Sequence, residues 1–131
     1  MMASAFVLDA SAVVRLILLD PMAADWAQTL ETAAMVLAPE LMLTEVANTL
    51  WKLHRAQQLQ GVNPQELLVH AKGLVDHIEP DRQLQVEALA LAIHFNHSVD
   101  DCLYLALARR EAATLLTADR KLQALANQVL P

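Results

Sequence analysis

"HSVDDCLYLALARREAATLLTADRKL", residues 97–122, contains a helix, a strand and the start of another helix. From Val99 to about Arg110, apolar residues recur at helical spacing behind a pair of aspartates. "ATLLT" at 113–117 is then a short, almost wholly apolar strand, and "ADRKLQALA" opens a further short helix. A strand that is apolar at nearly every position, with no alternation, suits a sheet covered on both faces. The first acidic residue after it is Asp119.

The same alternation runs through the rest of the chain. "AFVL" at 5–8 is a second short apolar strand, followed by Asp9 and the helical run "ASAVVRLILLD". Asp20-Pro21 reads as an N-cap with proline in the first turn, opening a helix through about Ala33. "MVLAP" at 35–39 is a strand candidate. Residues 41–59 contain neither Gly nor Pro and form the longest predicted helix, with Gly61 as its stop. Asn63, Pro64 and Glu66 begin another helix running to about Val75. "DHIEP" at 76–80 is a short strand or a bend, 83–95 a largely apolar helix, and "QVLP" at the end a possible edge strand. Short strands alternating with helices predict one α/β domain over residues 1–131, with a central parallel sheet of about four to five short strands flanked by helices. Sites in such sheets lie beyond the carboxyl ends of the strands, which selects Asp9 and Asp119.

Composition narrows the chemistry. A net charge of −6 argues against binding nucleic acid through bulk positive potential. It leaves metal-dependent nuclease chemistry open, because a bound cation neutralises converging carboxylates and then attracts phosphate. The two glycines, Gly61 and Gly73, cannot build a Gly-rich phosphate loop. One cysteine, Cys102, cannot form an internal disulfide, and "MMASAFVLDAS" lacks the features of a signal peptide, so a cytoplasmic location is expected. No apolar stretch is long enough to span a membrane.

Two strand-end carboxylates joined by acids from flanking helices repel one another unless a cation or a proton intervenes. Mg²⁺ or Mn²⁺ resolves the repulsion, since hard cations prefer oxygen ligands. The helix at 41–59 offers Glu45, with Asn48, Thr49 and Lys52 on or beside the same face. The helix after 98 offers Asp101. Each acid has a plainer alternative: Asp9 and Asp119 as caps of the helices they precede, Asp101 as a cap or first-turn acid, and Glu45 as a solvated charge.

"VLDASAVV", "LMLTEVANTLWK", "SVDDCLYLALA" and "ATLLTADRKL", in this order and at these separations, resemble the PIN-domain family, particularly the small VapC-like toxins of toxin–antitoxin pairs. The resemblance spans essentially the whole chain. It implies a Mg²⁺- or Mn²⁺-dependent endoribonuclease whose metal ligands and catalytic acids are Asp9, Glu45, Asp101 and Asp119, leaving a 5′ phosphate and a 3′ hydroxyl. It further implies a VapB-like antitoxin as partner, RNA as substrate, and a homodimer. Supporting positions are Ser11 and Thr117, placed to orient a carboxylate or a metal-bound water, and Asn48, placed to hold Glu45. Lys52 and Arg120 are the candidate contacts to RNA phosphates. Asp100 departs from the family pattern and is expected either to cap its helix or to add negative potential. The competing readings are a PIN-fold interaction module without catalysis and a metal nuclease acting on structured DNA.

Other signals are weaker. His94 and His97, with Asp100 three residues further on, have a spacing compatible with one metal face, but no fourth partner accompanies them, and the histidines read as solvated or capping residues. Cys102 sits among apolar helix neighbours and reads as a buried small hydrophobe. Trp26 and Trp51 read as core or interface residues.

Overall fold

The computed structural model describes residues 4–131. Four strands, β1 (Ala5–Leu8), β2 (Met35–Pro39), β3 (His77–Glu79) and β4 (Thr114–Leu116), form one sheet in the order β3-β2-β1-β4, every neighbouring pair parallel. Seven helices connect and cover them: α1 (Ala10–Ile17), α2 (Ala24–Leu30), α3 (Leu41–Arg55), α4 (Pro64–Gly73), α5 (Gln85–Phe95), α6 (Val99–Arg110) and α7 (Arg120–Val129). The α/β architecture expected from the alternation is the one observed, with the sheet at the four-strand end of the expected range.

β1 lies between β2 on one side and β4 on the other, so the order of strands reverses direction between β1 and β4. That switch point is where parallel sheets open a crevice beyond their carboxyl ends. The register pairs Leu8 with Leu116, and the N–H of Asp9 continues the pairing by donating to the Leu116 carbonyl at 3.3 Å. Asp9 and Thr117 therefore leave the sheet side by side.

The buried centre is α6. Cys102 through Ala108 are all buried, because the helix packs on α5, on the sheet strands β1, β2 and β4, and on α7 at once. A helix enclosed this way needs apolar residues all round, as "CLYLALA" supplies. Leu103, Leu105 and Leu107 each contribute about 2 kcal/mol by removal from water. Cys102 is indeed a buried, unpaired small side chain.

Several boundaries differ from the sequence expectation. The helix predicted to run from 41 to 59 stops at Arg55, with Gln57, Gln60 and Gly61 all at positive φ. Its inward row is Met42, Val46 and Leu50, continued by the partly buried Leu53, and the position after that is the exposed Gln57. The helix predicted from Asp20 to Ala33 is a 3₁₀ turn at Pro21–Ala23 followed by the short α2; Asp20 is the cap, accepting from the N–H of Met22 at 2.9 Å. The terminal "QVLP" is not an edge strand. α7 extends through Val129 because Leu122, Leu125, Ala126 and Val129 keep a helical period against the core.

The start of α3 is held from another element. Its first residue, Leu41, donates its N–H to Asp81 Oδ1 at 3.1 Å, while the Asp81 N–H donates to Glu40 Oε1 at 2.9 Å and the Glu40 N–H to the Glu79 carbonyl at 3.0 Å. Asp81 therefore caps α3 across the chain, and replacing it by alanine is expected to cost about 1 kcal/mol and lower Tm by roughly 3–5 °C. An unchanged thermal melt would show that this cap adds nothing.

Candidate active site

Asp9 is the most tightly held acid in the crevice. It is 5% exposed and serves as the N-cap of α1, Oδ1 accepting from the N–H of Ala12 at 2.9 Å and from Ser11 Oγ at 2.6 Å. Its other oxygen accepts from Thr117 Oγ1. Both hydroxyls are fixed from the far side by the backbone after β4: the Ala118 N–H donates to Ser11 Oγ at 2.9 Å and the Asp119 N–H to Thr117 Oγ1 at 3.0 Å. The "DAS" and "TAD" segments thus form one interlocked unit across the switch point. Ser11 and Thr117 orient a carboxylate, one of the two roles considered for them.

Burial pushes the Asp9 carboxyl above its ordinary range. The Ser11, Thr117 and Ala12 hydrogen bonds oppose this, and the charge of Asp101 adds to it. Glu45, half-buried on α3, is raised chiefly by burial, then by the charges of Asp100, Asp101 and Asp9. The charge of Asp101 is therefore near enough to both Asp9 and Glu45 to disfavour their ionisation. Among the described residues no lysine or arginine forms an ion pair with Asp9 or Glu45.

The remaining candidates are placed as follows. Asp101 is in the first turn of α6, and the cap of that helix is Ser98, whose Oγ accepts from the Asp101 N–H; neither Asp100 nor Asp101 is the cap. Asp100 is exposed, and its charge acts on Glu45 and on Asp81. Asp119 is exposed and caps α7, its Oδ1 accepting from the N–H groups of Lys121 at 2.8 Å and Leu122 at 3.1 Å. Asn48 is exposed and makes no hydrogen bond to Glu45; Thr49 Oγ1 donates to the Glu45 backbone carbonyl instead. Lys52 and Arg120 are exposed, Lys52 beside the cation–π pair of Arg55 over Trp51. Trp51 is therefore a surface residue, not part of the core.

Two side chains at the site were not anticipated. Tyr104, on α6, donates its O–H to Glu45 Oε1 at 2.5 Å. His97 lies 2.7 Å through Nε2 from Asp101 Oδ2. Asn96 makes that pair possible by ending α5 in the left-handed conformation (φ 51°), so that the chain turns into α6 with the imidazole one helical turn before Asp101.

The donors suit a hard divalent cation: carboxylate oxygens, mutually repelling, one of them buried without a cationic partner. Among the described residues, however, no three acidic, histidine or cysteine side chains stand together as a ready-made ligand cluster. Binding requires side-chain adjustment around the fixed Asp9. Shape does not mark the place either, since a hollow of about 700 Å³ lies at the α3–α4 turn, lined by residues such as His54, Gln57 and Asn63 and by none of the acids.

Residues 6–128 match the family model described as the PIN domain. The chain belongs to the PIN-domain family. Among solved structures, this PIN domain is similar to PAE2754 from Pyrobaculum aerophilum, at 22% identity and a TM-score of 0.71, covering 95% of this chain and 86% of that one. It is also similar to Mycobacterium tuberculosis VapC20, described as a Sarcin-Ricin loop cleaving toxin, at 17% identity and a TM-score of 0.66, covering 91% of this chain and 93% of that one. At these identities the likeness is one of fold. No curated protein matches this PIN domain significantly in sequence.

Proposed function

We propose that this PIN domain is a divalent-metal-dependent endoribonuclease, the toxin of a VapBC-type module, acting in the cytoplasm. The observation that carries the reading is the buried Asp9 carboxylate, clamped by two hydroxyls at the topological switch point, next to Glu45 and Asp101, with no basic partner. Family membership, and the likeness in fold to a protein described as a Sarcin-Ricin loop cleaving toxin, support this reading. Asp9, Glu45 and Asp101 would hold Mg²⁺ or Mn²⁺, with Asp119 at the rim. Such an ion supplies Lewis acidity toward a phosphate and lowers the pKa of water beside it. Ser11 and Thr117 keep both oxygens of Asp9 in fixed directions. Glu45, whose carboxyl takes up a proton more readily than a free glutamate, is suited to accept one from an attacking water. Lys52 and Arg120 are the cations we assign to RNA phosphates.

A homodimer and a VapB-like antitoxin belong to the same reading. Apolar side chains left in solvent, among them Leu19, Met22 and Trp51, and Val86, Leu89 and Ile93 on α5, give such partners surface to cover. The function is tested by sequencing RNA ends after induced expression of the wild type and of Asp101→Asn. New 5′ ends at a restricted set of sites are expected with the wild type only. Identical RNA ends from both proteins would leave the interaction-module reading in possession of the fold.

A further inference from the structure

The acids of this site come from separate elements, and one side chain outside the acidic set reaches between them. Tyr104 is the only tyrosine in the chain. It is 1% exposed, at the centre of the buried α6. Its ring is surrounded by core, while its O–H emerges at Glu45 and donates to Oε1. One rigid side chain from α6 thus touches the acid on α3.

We infer that Tyr104 is a positioning residue for Glu45: its hydroxyl fixes Oε1, and so directs Oε2 toward Asp9 and Asp101. Two considerations support it. Asn48, the neighbouring polar residue on α3, is turned to solvent and leaves the Glu45 carboxylate to Tyr104. A flexible glutamate loses rotamer freedom when immobilised, and a donor on a fully packed ring loses none of its own at that moment. The arrangement parallels that at Asp9, where Ser11 and Thr117 do the orienting. In each case a hydroxyl, not a basic residue, holds the acid, which keeps the carboxylate's charge available.

The inference rests on the metal-site reading given above, and its test separates the two. Mn²⁺ alone is titrated by calorimetry into wild type, Tyr104→Phe, Glu45→Ala and the double variant. Tyr104→Phe keeps the ring and the packing, and is expected to bind Mn²⁺ about 10-fold more weakly, the lower end of what loss of a ligand's hydrogen-bond partner costs. In the Glu45→Ala background the same change is expected to have no further effect, since the two residues act as one unit. In the metal-free protein, the side-chain carboxyl ¹³C resonance of Glu45 is expected to move in Tyr104→Phe while that of Asp9 stays in place. Equal Mn²⁺ affinity in wild type and Tyr104→Phe, an equal loss in both backgrounds, or a Glu45 resonance that does not move would overturn the role of Tyr104 alone. A wild-type protein that binds no Mn²⁺ would overturn the metal site together with it.

Discussion

Asp9→Asn is expected to give a folded protein whose RNA cleavage has fallen by about 1,000-fold or more, equivalent to about 4 kcal/mol of lost transition-state stabilisation. The change removes charge and little else. Asparagine is as good an N-cap as aspartate, so its side-chain oxygen can still accept from the Ala12 N–H at the start of α1. Ser11 and Thr117 are hydroxyls and can turn to accept from an amide as readily as they donate to a carboxylate. What is lost is the one buried negative charge in the crevice that Asp101 and Glu45 cannot replace, since both stand less enclosed. Circular dichroism and a thermal melt establish the fold, and single-turnover cleavage with Mn²⁺ gives the rate. A folded Asp9→Asn protein cleaving at the wild-type rate would refute the assignment of Asp9.

How far the sequence alone could lead is visible residue by residue. Asp9 and Asp119 follow from a general property of parallel sheets, because a strand apolar throughout marks its own end and the first acid beyond it is easy to see. Ser11 and Thr117 follow from adjacency to those ends, and the register that pairs Leu8 with Leu116 explains why they meet. Asp101 was marked by a motif and Glu45 by its helix face. Tyr104 was hidden by its surroundings. Inside "CLYLALA" it carries the same apolar signal as its neighbours, and only the rule that a buried phenol needs a partner could have set it apart. The spacing of His97 to His94 suggests a metal pair, whereas its actual partner is four residues forward at Asp101. Asn48 failed to reach Glu45 for a reason of helix geometry: three residues on, a side chain is offset around the helix, and here that offset leads to solvent. The end of α3 at Arg55 matches the polar Gln57 where the inward row would continue past Leu53, whereas the absence of Gly or Pro before Gly61 suggests a longer helix.

The same uncompensated acids set a second large effect, on stability. In the folded state Asp9 and Glu45 titrate above their ordinary values of 3.8 and 4.5, in both cases chiefly through burial, and Asp81 is raised above 3.8 by the same cause. A raised carboxyl stabilises the fold fully below its unfolded value, where it is protonated, and the stabilisation is lost as pH rises through the folded value. Glu79 runs the other way. Hydrogen bonds from Arg110 and His77 hold it below 4.5, so its contribution is present above that value and lost as pH falls through the folded one. Three groups against one predict that the metal-free protein loses stability as pH rises above about 4, and that Asp9→Asn, lacking one of the three, loses less. Mn²⁺ should reverse the loss, because it occupies the site the protons leave. At 100 times its dissociation constant a ligand specific to the folded state adds about 2.7 kcal/mol. The gain is expected near neutral pH, to shrink toward pH 4 as protons compete for the same oxygens, and to be largely absent in Asp9→Asn. Denaturant unfolding of both proteins across this range, with Mn²⁺ or with EDTA, measures every term. An equal Mn²⁺ gain in the two proteins would move the ion to another part of the surface, and a wild type that becomes more stable from pH 4 to pH 7 without metal would contradict the uncompensated burial of Asp9 and Glu45.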